Sequence, residues 1–211
     1  MSIWDDISIA ILAGGQSTRM GQDKAALEIG GAAMLVRTAD LAASTGAPLC
    51  VVGRERPLDW LNSGVSQAEP RCEASFVLDQ APGLGPVGGL LSALSWNALS
   101  IRRERLLLLP CDLPLLEVSG LEWIARAAST CTARDGLATT RGGLLEPLFS
   151  IYRARIEERA AEYLKGGRRS LHGLIESGGF ERRECPAEVA AQLFNCNTPQ
   201  DLEAARRQAR G

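Results

Sequence analysis

The sequence predicts an α/β fold whose central sheet is mostly parallel and contains one antiparallel strand. Short apolar runs alternate along the first half with segments of helical spacing, which is the order of a parallel βαβ sheet. A glycine pair follows the first apolar run, as at the mouth of such a sheet. After Gly136 the alternation stops, and two strand-like runs follow each other across a short turn, which indicates antiparallel pairing.

The first half contains four predicted strands and three predicted helices. Ile7–Leu12 is a β-branched apolar run that ends at a glycine pair, so it predicts a strand buried on both faces. Met34–Ala43 has apolar residues at helical spacing, and Leu49–Val52 is a second strand, closed by Gly53. The later elements are strands over 75–78 and 106–109 and helices over 87–99 and 120–128.

The second half predicts a hairpin-like pair of strands over 137–140 and 145–152, separated by the turn at 141–144. The tail predicts a helix over 156–164, a helix that begins near Ser170 and a short strand near Phe180. A last helix is expected after Thr198, because Thr198 suits the N-cap, Pro199 the first helical position and Asp201 the first turn.

Composition narrows the class of protein. A length of 211 residues fits one domain, and a formal charge of −2 gives no broad positive field for nucleic acid or an anionic membrane. The apolar runs are too short to span a bilayer, and acidic Asp5 and Asp6 occupy the N-terminal region, so a soluble cytoplasmic protein is expected.

Six cysteines without a C-x-x-C pair fit a reducing compartment. With His172 as the single histidine, a zinc site or a Ser-His-Asp triad is disfavoured.

The loop after the first strand carries the strongest functional signal. Gly14 and Gly15 permit close backbone approach and convergent amides, and Arg19 and Lys24 add two cations, a combination that suits a polyphosphate. The loop lacks G-x-x-x-x-G-K-[ST], so a P-loop is disfavoured. The simpler alternative is a glycine turn with solvated cations.

A second glycine-rich segment offers a competing interpretation. Residues 83–88 satisfy G-x-G-x-x-G between a predicted strand and a predicted helix, and Asp112 follows as a possible ribose-binding acid. A Rossmann oxidoreductase that binds NAD is therefore an alternative. Against it, Pro86 removes an amide donor from the cradle, and the basic first loop stays unexplained.

Asp112 is the candidate magnesium ligand. It follows the buried run 106–109 at the end of a predicted parallel strand, where phosphate and metal can both reach it. Mg²⁺ commonly takes one or two protein carboxylates and fills its shell with water and phosphate oxygens. The alternative is an aspartate that caps a turn before Pro114.

The segment from Leu12 to Lys24, Leu-Ala-Gly-Gly-x-Ser-x-Arg-Met-Gly-x-Asp-Lys, closely resembles the signature of sugar-phosphate and molybdenum-cofactor nucleotidyltransferases. Further segments along nearly the whole chain resemble the molybdenum cofactor guanylyltransferases: Asp79 before Gly85-Pro-Val-Gly-Gly-Leu, Pro110-Cys-Asp-Leu-Pro, Glu146-Pro-Leu-Phe, Gly167-Arg-Arg-Ser and Phe194-Asn-Cys-Asn-Thr-Pro. The Leu-Ala-Gly-Gly start and the asparagines Asn195 and Asn197 resemble the guanylyl branch more than its cytidylyl relatives.

This resemblance implies a three-layer αβα, Rossmann-like fold of the nucleotide-diphospho-sugar transferase type, as one domain over 1–211. Residues 1–115 would bind nucleotide and metal, and residues 116–211 would bind the acceptor. It further implies transfer of GMP from GTP to the terminal phosphate of molybdenum-bearing molybdopterin, with Mg²⁺ as cofactor. GTP, molybdopterin and other proteins of the cofactor pathway would be the partners. An acceptor phosphate oxygen is already anionic, so no general base is required.

The resemblance also assigns residues to roles. Catalysis falls to Arg19, Lys24 and Asp112, with Asp112 as the metal ligand. Nucleotide binding falls to Leu12, Ala13, Gly14, Gly15, Lys24, Asp79, Gly85 and Asp112, and acceptor binding to Arg168, Arg169, Asn195 and Asn197.

Alternatives to these roles and to the acceptor stay open. The two arginines could instead form a solvated helix start, and the asparagines a turn and cap. Gly53-Arg54-Glu55 departs from relatives that often place an asparagine there, segment 56–71 matches nothing, and Glu146 has no assigned role. Three alternatives to the proposed activity remain. The acceptor could be another molecule such as a sugar phosphate, the nucleotide transferred to molybdopterin could be CMP, or the protein could be a nucleotide sensor without turnover.

Overall fold

A mixed β-sheet forms the centre of the protein, in a computed structural model that describes residues 2–14, 23–55, 74–79 and 83–208. The strands of this sheet follow one another as β10-β7-β9-β6-β1-β4-β5, and β8 pairs with β7 off this path. The described strands are β1 Ile7–Leu12, β2 Glu28–Ile29, β3 Ala32–Ala33, β4 Leu49–Val52, β5 Ser75–Val77, β6 Arg105–Pro110, β7 Gly136–Arg141, β8 Leu144–Leu145, β9 Ser150–Arg153 and β10 Phe180–Glu184.

The strand directions confirm the predicted sheet, in which most pairs are parallel and some are antiparallel. β1 runs parallel to both β4 and β6, β4 is parallel to β5, and β10 is parallel to β7. β9 is antiparallel to β6 and to β7, and the short β8 is antiparallel to β7. β2 and β3 form a separate antiparallel hairpin.

Helices cover both faces of the sheet. They are α1 Met34–Ala43, α2 Gly85–Trp96, α3 Val118–Thr130, α4 Glu157–Lys165, α5 Leu171–Glu176, α6 Ala187–Gln192 and α7 Pro199–Gln208. Alternate residues of a strand point to opposite faces, and accordingly Ile9 and Ile11 belong to one apolar core while Ala10 belongs to the other. Helices α1, α3 and α6 contribute to the first core, and α2, α4 and α5 to the second. The result is the expected three-layer arrangement.

A third, smaller core joins the C-terminal helix to the region after the first loop. Ile29 of the β2–β3 hairpin and Met34 of α1 pack with Cys196 and with Leu202 and Ala205 of α7. Arg206 adds hydrogen bonds of 3.0 and 2.9 Å from Nε and Nη2 to the carbonyl oxygen of Glu28. Helix α7 is thereby packed against the segment that follows the first loop.

Several predicted bounds need correction. The single strand expected over 145–152 is divided, because Pro147 begins a 3-10 turn, Pro147–Phe149, between β8 and β9. Helix α2 ends at Trp96 rather than at residue 99, and a π-helical turn, Asn97–Ile101, follows it. The sequence reading missed α6 and the β2–β3 hairpin. The remaining predicted elements occur within about two residues of their expected ends.

Candidate functional site

A cavity of about 540 Å³, called here the nucleotide cavity, opens at the carboxyl ends of β1, β4 and β6. Parallel strands present their carboxyl ends on one edge, and ligands of open α/β sheets bind there. Its lining includes these predicted site residues: Leu12, Ala13, Gly14, Lys24, Asp79, Gly85, Asp112 and Asn197. Residues that lie far apart in the chain, from Leu12 to Asn197, therefore meet in one cavity.

Lys24, Asp112 and Asn197 form the polar centre of this cavity. Lys24 Nζ lies 3.4 Å from Asp112 Oδ2 and donates to Asn197 Oδ1 at 2.5 Å. The lysine and aspartate side chains are 19% and 17% exposed, so the pair is mostly withdrawn from solvent yet reachable from the cavity. At 3.4 Å the ion pair is longer than a usual charge-assisted hydrogen bond.

The backbone holds this centre in place from both sides. Asp23 accepts a hydrogen bond of 3.1 Å from the amide of Ala25, which caps the 3-10 turn that begins at Lys24. The carbonyl oxygen of Asp112 accepts from the amide of Cys196 at 3.0 Å, which fixes the segment that carries Asn197.

Burial raises the pKa of Asp112 from its ordinary value, and the charge and hydrogen bond of Lys24 act in the opposite direction. The carboxylate therefore bears a desolvation cost that a nearby cation reduces. Among the described residues, no group of three or more His, Cys, Asp or Glu side chains could hold a metal. A single carboxylate beside a phosphate site fits Mg²⁺, which fills its remaining positions with water and phosphate oxygens.

Two glycines allow the loop after β1 and the loop after β4 to touch. A Cβ built on Gly53, whose φ is +95°, would lie 2.6 Å from Gly14 Cα, and a Cβ on Gly14 would lie 3.1 Å from Gly53 Cα. The two loops can therefore pack backbone against backbone where they line the cavity.

Arg54 is a residue that sequence reasoning missed. Its Nε and Nη2 donate to the carbonyl oxygen of Ala13 at 3.2 and 3.1 Å, and Nη2 lies 2.8 Å from Asp23 Oδ2. Arg54 thus links the end of β1 to the residue that caps the Lys24 turn. In the sequence this position is marked only by its departure from relatives that often place an asparagine there. The sequence offered one signal for Arg54: it follows a predicted parallel strand, β4, and the carboxyl ends of parallel strands lie on one edge of the sheet.

One glycine of segment 83–88, Gly85, lines the nucleotide cavity. Gly85 and Pro86 open helix α2, and both line the cavity together with Gly89. A Cβ on Gly89 would lie 3.0 Å from Leu12 Cδ2, so this glycine lets α2 pack closely on β1. Asp79 lies on the same side, where Ser92 Oγ donates to its Oδ1 at 3.4 Å.

A second cavity of about 330 Å³, called here the acceptor pocket, adjoins the first. The two share Pro86, Pro110 and Leu148 in their linings. Asn195 lines the acceptor pocket, and Asn197 lines the nucleotide cavity. Glu146 and His172, to which the sequence assigned no binding role, also line the acceptor pocket.

Arg168 and Arg169 lie outside both linings. The Arg168 guanidinium sits 4.2 Å from the centroid of the Tyr163 ring, and Arg169 Nη1 donates to the carbonyl oxygen of Gly83 at 3.1 Å. Both side chains are exposed, although a Cβ on Gly85 would lie 3.3 Å from Arg169 Cβ, which puts Arg169 at the rim of the nucleotide cavity. Gly15, Arg19 and segment 56–71 fall outside the described residues.

No helix among the described residues is long and apolar enough to cross a membrane.

Comparisons with known proteins show the family to which the chain belongs. Residues 9–180 match the family model described as "MobA-like NTP transferase domain". A protein named probable molybdenum cofactor guanylyltransferase from Synechococcus elongatus is 36% identical over 92% of this chain and 95% of its own length. A protein of the same name from Trichormus variabilis is 32% identical over 94% of this chain and 89% of its own.

A solved structure supports the fold independently. Molybdopterin-guanine dinucleotide biosynthesis protein A from Archaeoglobus fulgidus superposes with a TM-score of 0.75, at 20% identity, over 96% of this chain and 98% of its own. The shared fold is the nucleotide-diphospho-sugar transferase fold expected from the sequence. Neither comparison favours a Rossmann oxidoreductase, and the chain belongs to the MobA-like NTP transferase family.

Proposed function

We propose that this protein is a molybdenum cofactor guanylyltransferase, which transfers GMP from GTP to the terminal phosphate of molybdenum-bearing molybdopterin and releases pyrophosphate. The observation that carries the proposal is the cluster of Lys24, Asp112 and Asn197 in a cavity that adjoins a second one. The names of relatives at 32 to 36% identity support the choice of nucleotide and acceptor.

In the proposed reaction an oxygen of the acceptor phosphate attacks the α-phosphorus of GTP. A new P–O bond forms as the bond from that phosphorus to the bridging oxygen breaks, and pyrophosphate leaves with both electrons. The attacking oxygen is already anionic at neutral pH, so the reaction needs no general base. This agrees with a site whose polar centre contains no histidine.

The chain's own residues supply position and charge. Lys24 donates to phosphate oxygens and counters the charge that develops on the leaving pyrophosphate. The backbone at Gly14 lines the nucleotide cavity and would face the phosphates. Asn197 orients the Lys24 ammonium through their hydrogen bond.

Asp112 is the residue that would hold Mg²⁺. When bound, the ion would neutralise phosphate charge near the reacting phosphorus. We also propose the cytoplasm as the site of action, because GTP is available there.

The proposal is tested with GTP, CTP, UTP and ATP, each supplied with purified molybdopterin, molybdate and Mg²⁺, by mass analysis of the dinucleotide and by pyrophosphate release. We expect product with GTP. Lys24→Ala should lower kcat on the order of 10²-fold, because a donor to developing charge is lost. Lys165→Ala, an exposed lysine at the end of α4, is the matched control and should keep full activity. A product formed with CTP alone, or an unchanged kcat for Lys24→Ala, would contradict the proposal.

A further inference from the structure

The acceptor pocket combines apolar walls with a few polar side chains. Its lining is mostly apolar, with Leu113, Leu148, Phe149 and Leu193 among its walls. Few polar side chains interrupt these walls, and Glu146 is the acidic one among the described lining residues. An apolar slot with a small number of placed polar groups is typical of sites that bind a heterocycle and fix its orientation.

The carboxylate of Glu146 is held in one orientation. Its side chain is 19% exposed, and Oε1 lies 2.7 Å from Arg141 Nη2. Arg141 also donates through Nη1 to the carbonyl oxygen of Leu193 at 2.6 Å, so the same guanidinium fixes a second wall of the pocket. The backbone amide of Glu146 donates to Thr139 at 2.9 Å, which ties the residue to β7.

This carboxylate retains acceptor capacity. A carboxylate offers about four acceptor positions, and among the described residues the structure gives Glu146 Oε2 no hydrogen-bond partner. Burial raises the pKa of Glu146, whereas the charges of Arg141 and His172 lower it. A ligand that donates two N–H groups would satisfy the carboxylate, whereas a phosphate would be repelled by it.

We infer that Glu146 binds the N–H edge of a fused nitrogen heterocycle, through a ring N–H and an exocyclic amine such as the 2-amino-4-oxopyrimidine edge presents. The inference rests on the proposed function, which supplies a phosphate acceptor with a pterin ring. The charges then orient the acceptor: its ring edge faces Glu146, and its phosphate lies toward Lys24 in the adjoining cavity. Arg141 is a positioning residue, because it acts on the ligand through Glu146.

The test uses free 6-hydroxymethylpterin and lumazine, whose fluorescence reports binding without any turnover. Lumazine has an oxo group where the pterin has the exocyclic amine, so it lacks one of the two donors. We expect the wild-type protein to bind the pterin about tenfold or more tightly than lumazine, because hydrogen bonds to a charged group contribute on that scale. Equal affinities in the wild-type protein would overturn the inference without the use of any variant.

Variants of single residues then show whether Glu146 causes the preference for the pterin over lumazine. Glu146→Gln keeps the shape of the side chain but replaces one acceptor oxygen by a donor, so it should abolish the preference for pterin and raise KM for the acceptor with little change in KM for GTP. Glu146→Asp retains the charge and should keep part of the preference. Glu162→Gln, on the exposed surface of α4, should behave as wild type. A preference for pterin that survives in Glu146→Gln would overturn the assignment.

The inference and the proposed function fail separately. If the pterin preference depends on Glu146 but no GMP transfer occurs with any nucleotide, the ring site stands and the proposed reaction is wrong. If GMP transfer occurs but Glu146→Gln leaves pterin preference and acceptor KM unchanged, the reaction stands and the ring site is wrong.

Discussion

Individual residues at the nucleotide cavity differ in how far the sequence alone explains them. Lys24 and Asp112 could be selected from their motifs, because a cation in a glycine-rich loop and a carboxylate after a buried strand are recognisable types. The role of Arg54 could not, since it depends on the end of β1 lying beside the end of β4, 41 positions away in the chain. No local pattern reports such a neighbour.

Gly53 leads to a prediction about stability. Replacement by Ala places a methyl group against the backbone of Gly14, at a built distance of 2.6 Å, in addition to the strain of φ +95°. The matched control is Gly46→Ala, because Gly46 has φ +75° but nothing within 4 Å of a built Cβ. We expect the control to lose about 1–2 kcal/mol from the positive φ, and Gly53→Ala to lose about 1–3 kcal/mol more from overpacking.

Urea unfolding midpoints measure both variants, provided that the m values stay equal. Gly53→Ala should also weaken nucleotide binding, whereas Gly46→Ala should leave it unchanged because Gly46 lies in the turn after α1. Equal losses of stability in the two variants would show that the contact with Gly14 carries no energetic weight.

At the scale of elements, hydrophobic periodicity predicted the sheet well and failed where a single residue interrupts it. Pro147 has no amide hydrogen to donate, and the 3-10 turn that begins there divides the strand expected over 145–152. The interruption brings Leu148 and Phe149 into the lining of the acceptor pocket. The apolar pattern is the same in a strand and in this turn, so periodicity could not separate them.

Helix α7 has the N-terminal cap that the sequence predicted. Thr198 Oγ1 accepts from the amide of Asp201 at 3.1 Å, and Asp201 Oδ2 accepts from the amides of Thr198 and Asn197 at 2.8 and 3.0 Å. The cap therefore does two things: it starts the helix, and it fixes the backbone of the asparagine that contacts Lys24.

Asp201→Asn tests this cap through its pH dependence. The backbone hydrogen bond from Asn197, followed by the hydrogen bond with the Thr198 side chain, lowers the pKa of Asp201 below its ordinary value of 3.8. A depressed folded-state pKa stabilises the protein above the unfolded-state pKa, and that stability is lost as pH falls through the folded-state value. The variant should therefore unfold at lower urea than wild type at pH 7, and the gap should close below about pH 3.8.

Glu203→Gln, an exposed residue of the same helix, is the control and should follow the wild-type curve. We also expect Asp201→Asn to reduce kcat/KM for transfer, because the backbone amide of Asn197 then bonds to a neutral amide oxygen in place of a carboxylate. A gap between variant and wild type that stays constant from pH 7 to pH 3 would contradict the assignment of the stability to this carboxylate.

At the scale of the whole molecule, charge is local rather than global. The formal charge is −2, and the described lining of the nucleotide cavity places one lysine, Lys24, beside three aspartates, Asp23, Asp79 and Asp112. A triphosphate is therefore expected to bind by contacts within the cavity and to depend on a cation that offsets its charge. This predicts that ligand binding stabilises the folded chain only in a specific combination of nucleotide and metal.

Thermal unfolding with GTP, CTP, UTP, ATP and NAD, each with and without Mg²⁺, measures that linkage. A ligand at about 100 times its Kd adds about 2.7 kcal/mol, or roughly 5–10 °C for a chain of this size. We expect this shift with GTP and Mg²⁺, and a smaller shift in Asp112→Asn. Glu158→Gln, exposed on α4, is the control. Stabilisation by NAD alone would contradict nucleotidyl transfer, and a preference for CTP would change the product.

The sequence by itself determined the strand and helix order of the first half, the glycine-rich and basic composition of the first loop and the carboxylate that follows β6. These features depend on local residue types and spacing, which a linear pattern records. The tertiary structure decided that Asn197 meets Lys24 across 173 positions, that Arg54 joins the end of β1 to Asp23, and that Glu146 lies in a pocket beside the nucleotide cavity. Such contacts form only when the strands align in the sheet. Packing then brings together residues that are far apart in the sequence and are connected by no spacing pattern.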